Sequence, residues 1–260
     1  MGGDLLVVDI GNTNVVLGVY RGKNLLAHWR LHTRSPRTED ELSIAISQLF
    51  AMDGMDMKSI GDAIISCVAP QILPEFVRFC ANRLHCQALL VGPGVKTGVS
   101  VKTDDPREVG ADRITNAAGA LAKYKPPLII VDFGTAITID AISANCEYLG
   151  GAIAPGMGLA AAALSANTAK LPKVELTQPP SVIGTNTVDA MRSGLFNGFA
   201  GMVDGIVRRM LPLLGGKATV IATGGEAALV AGASETIEKV EENLTLEGLR
   251  VIHENTRKAR

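Results

Sequence analysis

The chain carries two copies of one short pattern, in which an apolar run ends in Asp and is followed by Gly, Thr and a second apolar run. In the first copy Leu5–Val8 leads into Asp9–Thr13, and in the second Leu128–Val131 leads into Asp132–Ala136. The apolar runs are typical of buried strands, and the Gly and Asn residues are typical of tight turns. One such turn alone is equally typical of a plain β-hairpin. Two copies, each opening one half of the chain, predict a duplicated domain.

The predicted element order is the same around both turns: three strands, a helix, a strand and a helix. In the first half, Val15–Tyr20 and Leu25–Leu31 are predicted to complete a meander, and Ser35–Thr38 breaks it. A capping box of Thr38 and Glu41 then predicts a helix start. We therefore predict an α/β fold of duplicated domains, 1–118 and 119–260, each with a mixed central sheet, and a cleft between them.

Later segments of the chain are mostly predicted as helices. A proline start and helical spacing predict one helix from Pro106 to about Tyr124. Ala218–Ala222 is predicted as a buried strand that ends at the glycine turn Thr223–Glu226, and helical patterns dominate the residues after it. Small residues in such a turn let a base or ribose lie against the backbone, although the turn is equally typical of a plain strand-to-helix connection.

Composition and charge narrow the possible partners. The net charge of −1 and the lack of a long basic run argue against binding to nucleic acid or to an anionic membrane. No apolar run approaches the roughly 20 residues that cross a bilayer, and Leu5–Val8 is interpreted as a first strand rather than a signal peptide. The four cysteines lack metal-site spacing, so we expect reduced thiols in a cytoplasmic protein.

The two Asp-containing turns suit phosphate chemistry. Glycine lets the backbone approach an anion, tight-turn N–H groups point at it, and a Thr hydroxyl adds a donor. The Asp is repelled by phosphate, so its expected role is to hold a cation or the water around that cation.

Gly110–Arg113 holds the candidate acid–base residue. Phosphoryl transfer to an alcohol needs a carboxylate that takes the proton of the acceptor hydroxyl, and Asp112 on a helix can do this. The neighbouring Arg113 can bind a substrate carboxylate or the transferred phosphoryl group. An exposed helical ion pair is the alternative interpretation of the same dipeptide.

The combination of motifs resembles the type III pantothenate kinase family, within the actin, sugar-kinase and Hsp70-like superfamily. The segments that carry the resemblance, in order, are Asp9–Thr13, Gly110–Arg113, Asp132–Ala136, Gly150–Gly156 and Thr223–Gly225. The resemblance implies duplicated ribonuclease H-like (actin-like ATPase) domains. It also implies phosphorylation of pantothenate by ATP, giving 4′-phosphopantothenate in the first step of coenzyme A synthesis.

The resemblance also implies roles for particular residues. Asp9 holds Mg²⁺ through water, Asp112 is the general base, and Asp132 binds a monovalent cation, K⁺ or NH₄⁺. The implied ATP and phosphate contacts are Asp9, Ile10, Gly11, Asn12, Thr13, Asn14, Val15, Val16 and Thr135. The implied pantothenate contacts are Gly110, Ala111, Asp112, Arg113 and Thr187. Many relatives carry an aromatic or basic substrate contact shortly before the Pro that leads to the Gly110–Arg113 segment; Lys102 or Thr103 could replace it here, and this contact is left unassigned. A homodimer is also implied.

Two other functions fit the same features. Some relatives were described as accessory factors in transcription, which suggests a nucleotide-binding regulator, although an intact Asp112 and Arg113 favour catalysis. A sugar-kinase or exopolyphosphatase-like activity would use the same superfold, because fold does not fix function. The pairing of Asp112 with Arg113 favours an acceptor that bears a carboxylate.

Overall fold

The computed structural model describes residues 3–33 and 38–259, so all of the predicted break at Ser35–Thr38 except Thr38 lies outside the described residues. Two compact units are present. The first comprises Met1–Val99, Asp105–Ala122 and Thr245–Arg260, and the second comprises Ser100–Asp104 and Lys123–Leu244. The division into domains at residues 118 and 119 stays a prediction.

Strands and helices alternate along the chain. The strands are β1 (Asp4–Ile10), β2 (Asn14–Arg21), β3 (Asn24–His32), β4 (Ile60–Cys67), β5 (Ala88–Leu90), β6 (Ser100–Val101), β7 (Leu128–Phe133), β8 (Ala136–Ile142), β9 (Glu147–Pro155), β10 (Thr219–Gly224) and β11 (Lys239–Val240). The helices are α1 (Glu39–Met52), α2 (Leu73–Arg83), α3 (Ala111–Lys123), α4 (Met157–Ala166), α5 (Thr187–Met210), α6 (Ala227–Ala231) and α7 (Leu244–Lys258). None of the helices among the described residues is both long and apolar enough to cross a membrane.

The sheet of the first unit has the order β3-β2-β1-β4-β5. β1 pairs antiparallel with β2 and parallel with β4. Because β1 lies in the middle of the sheet and is covered on both faces, it is buried along almost its whole length. This explains why its sequence is a continuous apolar run rather than an alternating one.

Helices cover both faces of this first sheet. One face packs against α1 and α2 through a cluster that includes Ile46, Phe50 and Phe76. The other face packs against α3 and α7 through a cluster that includes Ala118 and Leu249. The last helix of the chain therefore belongs to the first unit.

The sheet of the second unit has the order β11-β10-β7-β8-β9-β6. β7, β8 and β9 form an antiparallel meander, and β10 lies parallel to β7. Its core joins β7, β8 and β10 to α5 and α6. The relation of β10 to β7 repeats that of β4 to β1, and the predicted mixed sheets are confirmed. The predicted element order recurs with one extra helix, since both α4 and α5 lie between β9 and β10.

Some local predictions were confirmed and others were wrong. The capping box is present, since Glu41 N donates to Thr38 Oγ1 at 3.2 Å and Thr38 N donates to Glu41 Oε2 at 2.8 Å. The single helix predicted from Pro106 was wrong. A short 3₁₀ turn at Pro106–Glu108 ends in extended backbone at Val109, and α3 begins only at Ala111. The two-residue strands β6 and β11 were missed because they are too short to show a period.

Candidate active site

The first turn joins β1 to β2. Asp9 is half-buried near the end of β1, and Gly11 N donates to the Asn14 carbonyl at 3.0 Å. Thr33 supports the turn through two hydrogen bonds. Its hydroxyl donates to the Gly11 carbonyl at 2.7 Å, and its amide donates to the Thr13 carbonyl at 2.9 Å. The turn is therefore fixed by bonds to its carbonyl groups.

Side chains of this segment differ in what they can offer a ligand. Asn12 and Thr13 are exposed, whereas Ile10 and Val15 are buried in the core of the first unit. The two buried residues can therefore contribute only backbone groups to a phosphate site. Burial raises the pKa of the neighbouring Cys67 thiol, and the charge of Asp9 adds to this effect. Cys67 is thus a neutral thiol beside the turn.

Gly110–Arg113 forms the start of α3. Asp112 and Arg113 are both half-buried, and the Arg113 amide donates to Asp112 Oδ1 at 2.8 Å. A side chain at position 110 would place its Cβ 2.5 Å from Asp112 Oδ1, so any larger residue would displace this carboxylate. The position of Asp112 in the first helical turn is favourable for a negative charge because it faces the positive end of the helix dipole.

Val68 connects this segment to the first turn. Its amide donates to the Ile10 carbonyl at 2.9 Å, and its side chain lies 3.7 Å from the position that a Cβ on Gly110 would take. The structure therefore brings Asp9–Asn14 and Gly110–Arg113 together where the central strands β1 and β4 end. Sequence reasoning missed Val68, although its place directly after a strand parallel to β1 was a usable signal.

In the second unit, two turns converge on Asp132. Asp132 lies in β7 opposite Thr223 of β10. Gly224 has a φ of +94°, and a Cβ there would lie 2.5 Å from both Asp132 Oδ1 and the Phe133 carbonyl oxygen. The two turns therefore place oxygen atoms around a small space that only glycine leaves open. Thr135, in the loop after β7, is exposed.

Thr187 is the first residue of α5 and is exposed. The preceding Asn186 caps the helix, since Asp189 N donates to its Oδ1 at 2.9 Å. Thr187 lines a largely apolar groove between α4 and α5. The other residues that line this groove are Leu164, Leu171, Ala190, Met191, Gly194 and Leu195.

Lys102 and Thr103, the two alternatives for a substrate contact, have different surroundings. Lys102 Nζ lies 3.6 Å from Glu147 Oε1, so its charge is compensated within the second unit. Thr103 Oγ1 is buried and makes no hydrogen bond to the described residues. A buried hydroxyl without a partner is unfavourable, which distinguishes Thr103 from Lys102.

The carboxylates of the candidate site suit a metal ion that takes most of its ligands from a bound substrate. Within the ranges 3–33 and 38–259, no group of three or more His, Cys, Asp or Glu side chains could hold a metal ion. Mg²⁺ in kinases is commonly held by one or two carboxylates together with phosphates and water. Asp9 is suited to that arrangement. The oxygen atoms of Asp132 and Phe133 near Gly224 suit a hard cation.

Solved structures share the architecture described above. A ROK family glucokinase from Streptomyces griseus, solved with glucose and AMPPNP, aligns with 98% of this chain and 100% of its own at a TM-score of 0.52 and 14% identity. A protein from Campylobacter jejuni named for the Baf family of transcriptional activators aligns with 97% of this chain and 99% of its own at a TM-score of 0.60 and 21% identity. This chain has the actin-like ATPase fold of the glucokinase.

Proteins with similar sequences show which family within this fold the chain belongs to. A family model for type III pantothenate kinase matches residues 5–209. A type III pantothenate kinase of Brevibacillus brevis is 48% identical over 250 residues, covering 96% of this chain and 98% of the relative. One of Anaeromyxobacter sp. is 49% identical over 253 residues, covering 97% and 100%. The chain belongs to the type III pantothenate kinase family and is an enzyme, a kinase. The resemblance inferred from its motifs is confirmed.

Proposed function

We propose that the protein transfers the γ-phosphoryl group of ATP to the 4′-hydroxyl of pantothenate, giving ADP and 4′-phosphopantothenate. The observation that carries the proposal is the similarity to type III pantothenate kinases over nearly the whole chain. The reaction is the first step of coenzyme A synthesis. We place it in the cytoplasm, where unpaired cysteines such as the four free thiols of this chain stay reduced.

In this proposal the first turn holds the phosphates of ATP. The exposed Asn12 and Thr13 offer side-chain and backbone donors, while Ile10 and Val15 offer only backbone groups. Asp9 holds Mg²⁺ through water. When bound, Mg²⁺ neutralises charge on the phosphate oxygens. Thr135, exposed in the second unit, adds a hydroxyl contact to ATP.

Asp112 is proposed as the general base and Arg113 as a contact to the pantothenate carboxylate. The Asp112 carboxylate is held by the Arg113 amide at 2.8 Å, so one oxygen is oriented. It would accept the proton of the 4′-hydroxyl as that oxygen attacks the γ-phosphorus and the bond to ADP breaks. Gly110 and Ala111 shape the same segment, and Gly110 leaves the space that the carboxylate fills.

Asp132 is proposed as the ligand of a monovalent cation, K⁺ or NH₄⁺. The support is the set of oxygen atoms around Gly224, to which Asp132 contributes a charged oxygen and Phe133 a carbonyl. Such a cation offsets part of the negative charge of ATP and the carboxylates.

Thr103, rather than Lys102, is proposed as the remaining substrate contact. Thr103→Val keeps the shape of the side chain and removes a hydroxyl that has no partner among the described residues. We expect a higher KM for pantothenate with little change in kcat and no loss of thermal stability, because only the bound substrate would satisfy the hydroxyl. An unchanged KM would contradict this role.

A homodimer is proposed because an apolar surface lies beside Thr187. The segment that precedes α5 exposes Val182 and Ile183, which are 73% and 80% accessible. It is fixed to α5 through the Ser193 hydroxyl, which donates to the Val182 carbonyl at 2.5 Å. The same helix also lines the apolar groove between α4 and α5, and a second copy of the chain would cover both apolar surfaces.

The decisive assay measures ADP release on adding pantothenate, with K⁺ present and absent. We expect turnover that depends on pantothenate and on K⁺. Turnover no faster than a control without pantothenate would remove the kinase proposal and favour the nucleotide-binding regulator. A panel of small alcohols and sugars as acceptors distinguishes pantothenate from the acceptors of sugar kinases, since an acceptor without a carboxylate loses its contact to Arg113.

A further inference from the structure

Two cysteines meet where α2 ends. The helix ends at Arg83, and His85 adopts a left-handed backbone with a φ of +55°, which turns the chain back on itself. The Cys86 amide then donates to the Cys80 carbonyl at 3.1 Å. This bond satisfies one of the carbonyl groups that the last turn of a helix leaves without an internal partner.

The geometry of this bond brings the two residues within reach of a disulfide. With standard backbone dimensions, a 3.1 Å bond between Cys86 N and Cys80 O keeps the two Cα atoms less than about 7 Å apart. Disulfides span Cα separations up to roughly this value. Both side chains pack in the same apolar cluster of the first unit, and the two thiols interact directly.

The two thiols differ in accessibility and in acidity. Cys80 is fully buried, whereas Cys86 is half-buried and reaches the surface. The hydrogen bond between them raises the pKa of Cys80 and lowers the pKa of Cys86, while burial and the charge of Asp62 act against the lowering at Cys86. Because the thiolate is the reactive form of cysteine, Cys86 is the thiol that reacts first with an oxidant. Cys80 is buried beneath the surface and reacts second.

We propose that Cys80 and Cys86 form a reversible oxidation site, which a hydroperoxide closes to an intramolecular disulfide and a thiol reductant reopens. In the first step the Cys86 thiolate attacks the peroxide. An S–O bond forms, the O–O bond breaks, and the departing oxygen takes a proton, leaving a sulfenic acid on Cys86.

In the second step the Cys80 sulfur attacks the Cys86 sulfur. The S–S bond forms, the S–O bond breaks, and the Cys80 proton leaves with the departing oxygen as water. The two thiols lose two electrons in total, which the peroxide gains. The closed link ties the end of α2 to the residues just before β5, and the thiols are free in the resting protein.

A peptide map tests this directly. The folded protein is treated with hydrogen peroxide, blocked with N-ethylmaleimide and digested with trypsin without reduction. Cleavage after Arg78, Arg83 and Lys96 places the two cysteines on separate peptides. We expect residues 79–83 and 84–96 to appear as one linked species, lighter by two hydrogen atoms than their sum. Dithiothreitol should release both.

Variants make the test specific. In Cys80→Ala the sulfenic acid on Cys86 has no partner, so we expect dimedone to label Cys86 there and not in the wild type. Cys146→Ser is the matched control, since Cys146 is also half-buried but distant in sequence, and the link should form unchanged. Sulfinic acid on Cys86 without a link, a link to Cys67, or equal alkylation of all four thiols in the wild type would overturn the proposal, even if the Cys80 variant were unstable.

Discussion

At the residue scale, glycine determines where two carboxylates of the candidate site can lie. Gly110 leaves space for Asp112, and Gly224 leaves space for Asp132, since a Cβ at either glycine would lie 2.5 Å from the carboxylate oxygen. The sequence analysis gave one reason for Gly224, which is that small residues in its turn let a base or ribose lie against the backbone. The structure adds a second reason, which is the close approach of a side-chain oxygen.

Asp112→Asn tests the general base. The change keeps the size of the side chain and removes its ability to accept a proton, so we expect kcat to fall by about 100-fold or more while ATP still binds. Steady-state kinetics and nucleotide titration measure the two effects. Glu108→Gln is the control, because Glu108 is an exposed carboxylate just before the same helix. Near-normal turnover of Asp112→Asn would rule out its role as base.

Asp132→Asn tests the monovalent-cation site. Loss of the charged oxygen beside Gly224 should flatten the dependence of turnover on K⁺ more than it affects folding. A K⁺ titration of activity, with thermal unfolding as the check on the fold, measures this. The exposed Asp104 in the same unit provides the control variant Asp104→Asn. An unchanged K⁺ titration in Asp132→Asn would contradict the assignment.

At the scale of elements, α5 is tied to the loop after α6 by one buried carboxylate. Asp204 accepts hydrogen bonds from the Ser234 hydroxyl at 2.6 Å and from the Thr236 hydroxyl at 2.7 Å. It also accepts from the Glu235 and Thr236 amides at 2.9 and 3.1 Å. Burial by itself would raise the pKa of Asp204, but these bonds outweigh it and lower the pKa. The loop conformation thus depends on a charged Asp204.

Asp204→Asn is expected to destabilise the protein at neutral pH by about 1–3 kcal/mol, because an amide cannot accept all of these bonds. Since the folded pKa lies below the unfolded value of about 3.9, this stability is present above that pH and is lost as the pH falls through the folded pKa. Wild type and variant should therefore converge in acid.

Urea unfolding at neutral and acid pH measures this difference between the two proteins. Glu235→Gln is the control, since the Glu235 side chain is 76% exposed and only its backbone contacts Asp204. Equal stability of wild type and Asp204→Asn at neutral pH would show that the carboxylate charge does not hold the loop.

At the scale of the whole molecule, the exposed apolar surface beside α5 bears on assembly. Ile183→Asp should weaken a homodimer without unfolding the chain, because Ile183 is 80% exposed in the single chain and a charge there would be buried by a partner. Sedimentation across a concentration series measures this. Leu213→Asp is the control, as Leu213 is 82% exposed but lies after α5. Unaltered dimerisation in Ile183→Asp, or a monomeric wild type, would contradict the proposed surface.

The fold was more predictable than the details of the candidate site. The repeated meander around Asp9 and Asp132 could be predicted from short segments of sequence, because strand periodicity and turn chemistry depend on neighbouring residues. The interruption of the helix predicted from Pro106, which makes α3 begin only at Ala111, could not be predicted from neighbouring residues. Helical spacing continues through it, and only the extended backbone at Val109 separates the 3₁₀ turn from α3.

The sequence by itself determined the two Asp-containing turns, the meander that opens each half, and the family, because these depend on short stretches of chain. Tertiary structure decided which distant segments meet. It packed α7 on the first sheet through Leu246, Leu249 and Ile252, and it set Val68 between the first turn and Gly110. It also placed Gly224 against Asp132. Such contacts join residues far apart in the chain. Periodicity shows that a helix such as α7 has an apolar face, but it does not show which sheet that face covers.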